Sequence, residues 1–135
     1  MSEILEGRVA IITGAGGGLG AAHARVFAAE GCAVIVNDIN VEAAQAVVDE
    51  ITAAGGKAAV NSSDITNYDD SLNAVKQAID SYGDLHIVVN NAGVNRDRMF
   101  ASMTEQEWDT IMAVHLKGHF CITSHAVHYW RGQSK

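Results

Sequence analysis

A chain of 135 residues, 48% apolar and 19% charged, has the composition of one soluble globular domain able to bury a core, which argues against disorder. Its net charge of −7, with no basic stripe to neutralise phosphates, argues against a nucleic-acid partner. Acidic residues near the start, where a signal peptide needs basic ones, and the lack of any apolar run near the ~20 residues of a membrane span predict a cytoplasmic chain with no membrane partner.

Apolar β-rich runs alternate with helical patterns from residue 8 onward, with no proline anywhere in the chain. The first strand, predicted over residues 8–13, runs into Thr13-Gly14-Ala15-Gly16-Gly17-Gly18-Leu19-Gly20 and then into an alanine-rich helix over 19–30. In that context Gly14 serves the sharp turn off the strand, Gly18 lets backbone approach a pyrophosphate, and Gly20 lets the helix lie close to the sheet. The helix start then offers free N–H groups and a positive dipole end to the phosphates. The bland alternative is a flexible glycine loop. A mononucleotide P-loop is rejected, because Ala21 and Ala22 stand where it requires Lys followed by Ser or Thr.

Cys32 opens the approach to the second strand, Ala33–Asn37; it and Cys121 lie far apart in apolar stretches and read as reduced, buried thiols rather than a disulfide or zinc site. That strand delivers Asp38 about 20 residues after the glycine turn, where a carboxylate accepts hydrogen bonds from ribose hydroxyls. The same carboxylate opposes a 2′-phosphate, by ~4 kcal/mol at ~4 Å and an effective dielectric near 20. No Arg or Lys occurs at Ala15, Gly16, Gly17, Ile39 or Asn40, so NAD is the expected cofactor rather than NADP. Asn40 suits the N-cap of a helix over 41–54 better than Asp38 does.

A third strand, Lys57–Asn61, leads through Ser62-Ser63-Asp64-Ile65-Thr66 to a helix over Tyr68–Tyr82. Glycines at 31, 55 and 83 supply left-handed C-caps for the first three helices. The fourth strand, predicted over 85–90, ends in Asn90-Asn91-Ala92-Gly93. There small residues permit close approach of backbone to a ligand, while the Asn amides bridge neighbouring strand ends; an Asn-rich turn that merely closes the strand is the alternative. One long helix is predicted over 104–131, opened by Thr104 and Glu107 as a capping box. Right-handed crossovers with helices on both faces give an α/β fold, a Rossmann-type doubly wound parallel sheet ordered 3-2-1-4, its cofactor crevice between strands 1 and 4.

The Thr13, Gly14, Gly18, Gly20 spacing, followed in order by Asp38 and by Asn90-Asn91-Ala92-Gly93, resembles the short-chain dehydrogenase/reductase family over essentially the whole chain. That resemblance implies an NAD-dependent oxidoreductase acting on a small-molecule secondary alcohol or ketone, with Thr13, Gly14, Gly18, Leu19 and Gly20 around the cofactor phosphates. It implies Asp38 on the adenosine ribose, Asp64 and Ile65 against the adenine, and the Asn90-to-Gly93 segment near the nicotinamide ribose. For Asp64 a plain turn or cap role stands open beside this one. Residues 94–100 are similar to the loop of 3-oxoacyl-thioester reductases and (R)-3-hydroxyacyl-CoA dehydrogenases, which would bring Arg96 and Arg98 toward an acyl-carrier or CoA phosphate, although two arginines in a polar loop are more often ordinary surface charges.

His115 stands where the family carries an Asn that organises a proton relay. His115 and His119 are one helical turn apart, but the zinc-hydrolase pattern needs Glu where Leu116 stands, and no metal is expected. The resemblance implies a catalytic Ser after a fifth strand and a Tyr-x-x-x-Lys on the next helix; residues 129–135 hold these residue types at the wrong spacing. Residues 1–135 are accordingly expected to be the NAD-binding N-terminal half of one Rossmann domain, truncated after its fourth strand and following helix. Such a chain has no catalytic residue of its own, no turnover, and an exposed strand edge that promotes aggregation. The resemblance further implies a homodimeric or homotetrameric parent; the rival reading is a non-catalytic nucleotide-binding or interaction module.

Overall fold

The computed structural model describes residues 3–94 and 99–133. Strands β1 (Val9–Thr13), β2 (Ala33–Asn37), β3 (Lys57–Asn61) and β4 (Ile87–Val89) alternate with helices α1 (Gly18–Ala29), α2 (Val41–Ala53) and α3 (Tyr68–Tyr82). The sheet is parallel, in the order β3-β2-β1-β4, as the crossover rule requires.

Period-two alternation along each strand divides the core into two layers. Ala10, Ile12, Val34 and Val36 face α1 and α2, where they meet Ala21, Ala24, Val47 and Ile51. Val9, Ile11, Ala33 and Ile35 face the other way, onto Ala74, Val75, Ala78, Ile122 and Ala126. Both faces of the central strands are therefore covered, which explains why they read as continuous apolar runs. Cys32 is a buried thiol in the first of these layers, and Cys121 is buried on α5; burial pushes Cys32 up to about 11, which leaves it protonated and unreactive.

The helix ends follow local chemistry. Gly31, Gly55 and Gly83 take φ of 92°, 89° and 84°, the left-handed region that glycine enters freely. Asn40 caps α2 by accepting from the Ala43 N–H, and Asn67 caps α3 through the Asp70 N–H. The fourth strand is shorter than predicted. Leu85 is fixed before it, its N–H held by the Asp84 carboxylate and its carbonyl by the Trp130 indole at 2.6 Å.

The single helix predicted over 104–131 is the largest correction. After a 3₁₀ turn at Phe100–Ser102 come α4 (Glu105–Met112), a five-residue π turn (Ala113–Lys117) and α5 (Gly118–Arg131). Thr104 is the N-cap; its hydroxyl accepts from the Glu107 N–H and donates to Glu107 Oε1. At the π turn the Gly118 N–H reaches back five residues to the Ala113 carbonyl. The extra residue in that turn falls where the helix passes Ile65, with Gly118 so close that a Cβ there would lie 2.9 Å from Ile65 Cδ1. Such insertions interrupt a helix without ending it.

Candidate functional site

The carboxyl ends of β1, β2 and β4 open onto a cleft of about 470 Å³, whose lining includes Gly14, Gly17, Asp38, Asp64, Asn91, Ala92 and Gly93. Its size suits a small-molecule site, and its place outside the strand ends is where open α/β sheets bind ligands.

Thr13 organises the floor. Fully buried at the end of β1, its Oγ1 accepts from the N–H groups of Asn91 and Ala92, both at 3.0 Å, and donates to the Val89 carbonyl at 3.4 Å. The Asn91 amide donates in turn to the Gly14 carbonyl at 3.3 Å. These bonds draw the turn after β4 onto the turn after β1. A Cβ on Gly14, which also has φ 63°, would lie 2.7 Å from Ala92 Cα, and one on Gly20 would strike the Gly14 carbonyl and lie 2.9 Å from Ala15 Cα.

Above this floor, α1 starts in a way that α2, α3 and α4 do not. Its N-cap is Gly17, with no side-chain cap and no acid in the first turn, whereas α2, α3 and α4 each carry both. The first N–H groups of α1 therefore keep their donors and their positive dipole end for an outside acceptor. Gly18, at φ 54°, holds the left-handed bend that aims them.

Asp38 leaves β2 at the cleft rim. Its Oδ2 accepts from the Gly16 N–H and its Oδ1 from the Asn40 N–H, both at 2.9 Å. Asp64 also lines the cleft while acting as a turn residue: its Oδ1 accepts from the Thr66 N–H and hydroxyl, and its own N–H donates to Asp70. Ile65 does not join it. It is buried in the α3–α5 layer against Gly118.

Leu19 points outward, 73% exposed, and Asn90 turns away from the cleft to donate to Thr123 Oγ1 at 3.0 Å. His115 reaches from the π turn to the segment after β4: its Nε2 lies 2.9 Å from the Val94 N and 2.8 Å from the Val94 carbonyl, and a Cβ on Gly93 would meet the ring at 2.6 Å. His119 and His125 stand elsewhere; His125 contacts the Tyr68 carbonyl at 2.6 Å. Among the described residues no group of three metal-ligating side chains comes together. No described helix is long and apolar enough to cross a membrane.

Residues 95–98, with Arg96 and Arg98, lie outside the described residues, as do Ser134 and Lys135. Tyr129 and Trp130 are bound to Asp84 and Leu85, which precede β4 at the opposite end of the sheet from the cleft. The Tyr129 hydroxyl holds the Asp84 carboxyl below its ordinary range, helped by the Leu85 N–H and by the nearby His86 and Arg8.

Sequence reasoning missed Asn37 and its network. Asn37 Nδ2 donates to Asn61 Oδ1 at 2.8 Å and to the Ser63 carbonyl, and Asn61 Nδ2 donates to Gln77. This ties the ends of β2 and β3 to α3 beneath Asp38 and Asp64. A signal was present: IVN, AVN and VVN close three successive apolar runs, and a polar residue that closes a buried strand must find a partner. Val114 also lines the cleft without having stood out, as do Gly17 and Ile39, two of the positions at which a basic residue is absent.

The family model described as short chain dehydrogenase matches residues 8–135. The chain is 46% identical to the hydroxyacyl-CoA dehydrogenase ChsB1 of Mycobacterium tuberculosis, over 97% of this chain and 43% of that protein. It is 44% identical to the mouse peroxisomal multifunctional enzyme type 2, over 96% of this chain and 18% of that one. A crystal structure of a short chain dehydrogenase from Mycobacterium avium superposes with a TM-score of 0.92 at 50% identity, covering 96% of this chain and 48% of that one. The chain thus spans less than half the length of each of these three relatives.

Proposed function

The chain belongs to the short-chain dehydrogenase family, and on that premise we propose that it is the NAD-binding portion of an oxidoreductase for secondary alcohols and ketones. When bound, NAD supplies the hydride acceptor at its nicotinamide. This chain's residues do the holding. The uncapped start of α1 takes the phosphates, Asp38 the adenosine ribose, Asp64 the adenine side, and the turn formed by Asn91, Ala92 and Gly93 the nicotinamide end.

The observation that carries this reading is Asp38 itself, an acceptor-only carboxylate fixed at the rim of the cleft by two backbone N–H groups. A ribose bearing free hydroxyls can donate to it, whereas a 2′-phosphate cannot donate and meets like charge. NAD rather than NADP follows. For the whole protein we propose a 3-hydroxyacyl thioester as substrate ahead of a steroid, in keeping with the relative named as a hydroxyacyl-CoA dehydrogenase. We place it in the cytoplasm, as a homodimer or homotetramer, without nucleic-acid or membrane partners. The exposed Trp108 of α4, Leu116 of the π turn and Phe120 of α5 support self-association. We assign no turnover to these 135 residues by themselves, since they contain no Tyr-x-x-x-Lys.

Calorimetric titration of the chain with NAD and with NADP tests this. Tighter binding of NAD, lost in Asp38→Ala, is the expected result; tighter binding of NADP, or binding of neither, overturns it.

A further inference from the structure

Gly16 is a glycine for which the backbone gives no reason. Gly14 and Gly18 take positive φ, but Gly16 is absent from that left-handed group, so an L-residue meets no conformational strain there. What the position lacks is room. A Cβ on Gly16 would lie 2.7 Å from Asp38 Oδ2, 3.0 Å from Asp38 Cγ and 3.1 Å from Ala43 Cβ.

The residue that leaves this space also fills it with a hydrogen bond, its N–H donating to Asp38 Oδ2 at 2.9 Å. From the other side the Asn40 N–H, just ahead of α2, donates to Oδ1 at 2.9 Å. A carboxylate accepts about four hydrogen bonds. With one site on each oxygen taken by backbone, the group is fixed in orientation and keeps one acceptor site per oxygen, which matches a pair of adjacent hydroxyls. A carboxylate held only by its own torsions could swing aside for a 2′-phosphate.

We propose that Gly16 is the positioning residue that makes Asp38 selective: it seats the carboxylate in a slot that only a glycine leaves open. This rests on the NAD reading above and goes one residue further. The contrast with Gly20 sharpens it. At Gly20 a Cβ meets backbone, the Gly14 carbonyl and Ala15 Cα, so the fold must give. At Gly16 it meets chiefly the end of a side chain, which can rotate away. Gly16→Ala should therefore fold normally and fail in discrimination.

The experiment is a double-mutant cycle on the full chain, with Gly16→Ala, Asp38→Ala and the pair, titrated calorimetrically with NAD and NADP. In Gly16→Ala the NAD dissociation constant should rise on the order of 10-fold, as expected for a misplaced charge-assisted hydrogen-bond acceptor. The NADP constant should hardly move, so the preference narrows. In the Asp38→Ala background the same glycine change should alter neither constant. Amide hydrogen exchange supplies a readout without ligand: the Asn40 N–H should lose protection in Gly16→Ala as it does in Asp38→Ala. An unchanged NAD preference in Gly16→Ala, equal effects in both backgrounds, or loss of folding in Gly16→Ala each overturns the proposal while leaving the NAD reading standing. A wild-type chain that binds neither coenzyme removes the NAD reading and this proposal together.

Discussion

Replacing Thr13 by Val removes one hydroxyl from the interior at nearly constant volume, and so isolates the bond set that joins the two halves of the cleft floor. That hydroxyl accepts from two N–H groups at 3.0 Å and is fully buried. The Ala92 N–H left without its acceptor costs about 1–3 kcal/mol, whereas the Asn91 N–H keeps the Val89 carbonyl at 3.0 Å and the longer 3.4 Å donation to Val89 adds little. The expected loss is ~1–3 kcal/mol, a large share of the stability of a chain this size. At roughly 4 °C per kcal/mol, the melting temperature falls by roughly 8 °C. Thr13→Ser keeps the hydroxyl and drops one methyl, for ~1 kcal/mol. Urea denaturation followed by far-UV circular dichroism measures all three proteins, and the order expected is Thr, then Ser, then Val. A Val variant as stable as the Ser variant would show that the hydroxyl does not hold the turns together, and the account of the floor would fail.

Gly20→Ala should destabilise by ~2–4 kcal/mol despite a gain of up to ~1 kcal/mol in helix propensity, because the added Cβ meets the Gly14 carbonyl and Ala15 Cα; equal or higher stability in the same denaturation assay refutes the close approach of α1 to β1. Tyr129→Phe should lower stability at neutral pH by removing the 2.6 Å donation to Asp84. The folded Asp84 carboxyl lies below its ordinary 3.8, so the bond's contribution is present above that value and is lost as pH falls through the depressed one. Melting curves of the two proteins should therefore converge in acid below pH 3.8; a gap that stays constant through that window removes the carboxylate from the explanation.

Much of this protein is fixed by neighbours in sequence. Gly31, Gly55 and Gly83 end helices, and Asn40, Asn67 and Thr104 start them, each through an interaction spanning three or four residues. Those signals survive in a linear reading, as does the alternation of apolar runs with helical patterns that marks the four strands, whose order then follows from the crossover rule. The glycine turn and Asp38 are legible for the same reason, since each lies within one strand–turn unit. Tertiary structure alone decided what joins the units. Thr13 meets Asn91 across 78 positions, and Asn37 meets Asn61 because parallel register sets them side by side. The slot at Gly16 exists because β2 returns beside β1 and brings Asp38 across 22 positions. Ile65 likewise goes into the core rather than the cleft, because the π turn brings Gly118 against it. Hydrogen bonds within a turn are dictated by the residues that form it, whereas bonds between strand ends depend on register and crossover, which arise only when the sheet closes on its two layers of helices.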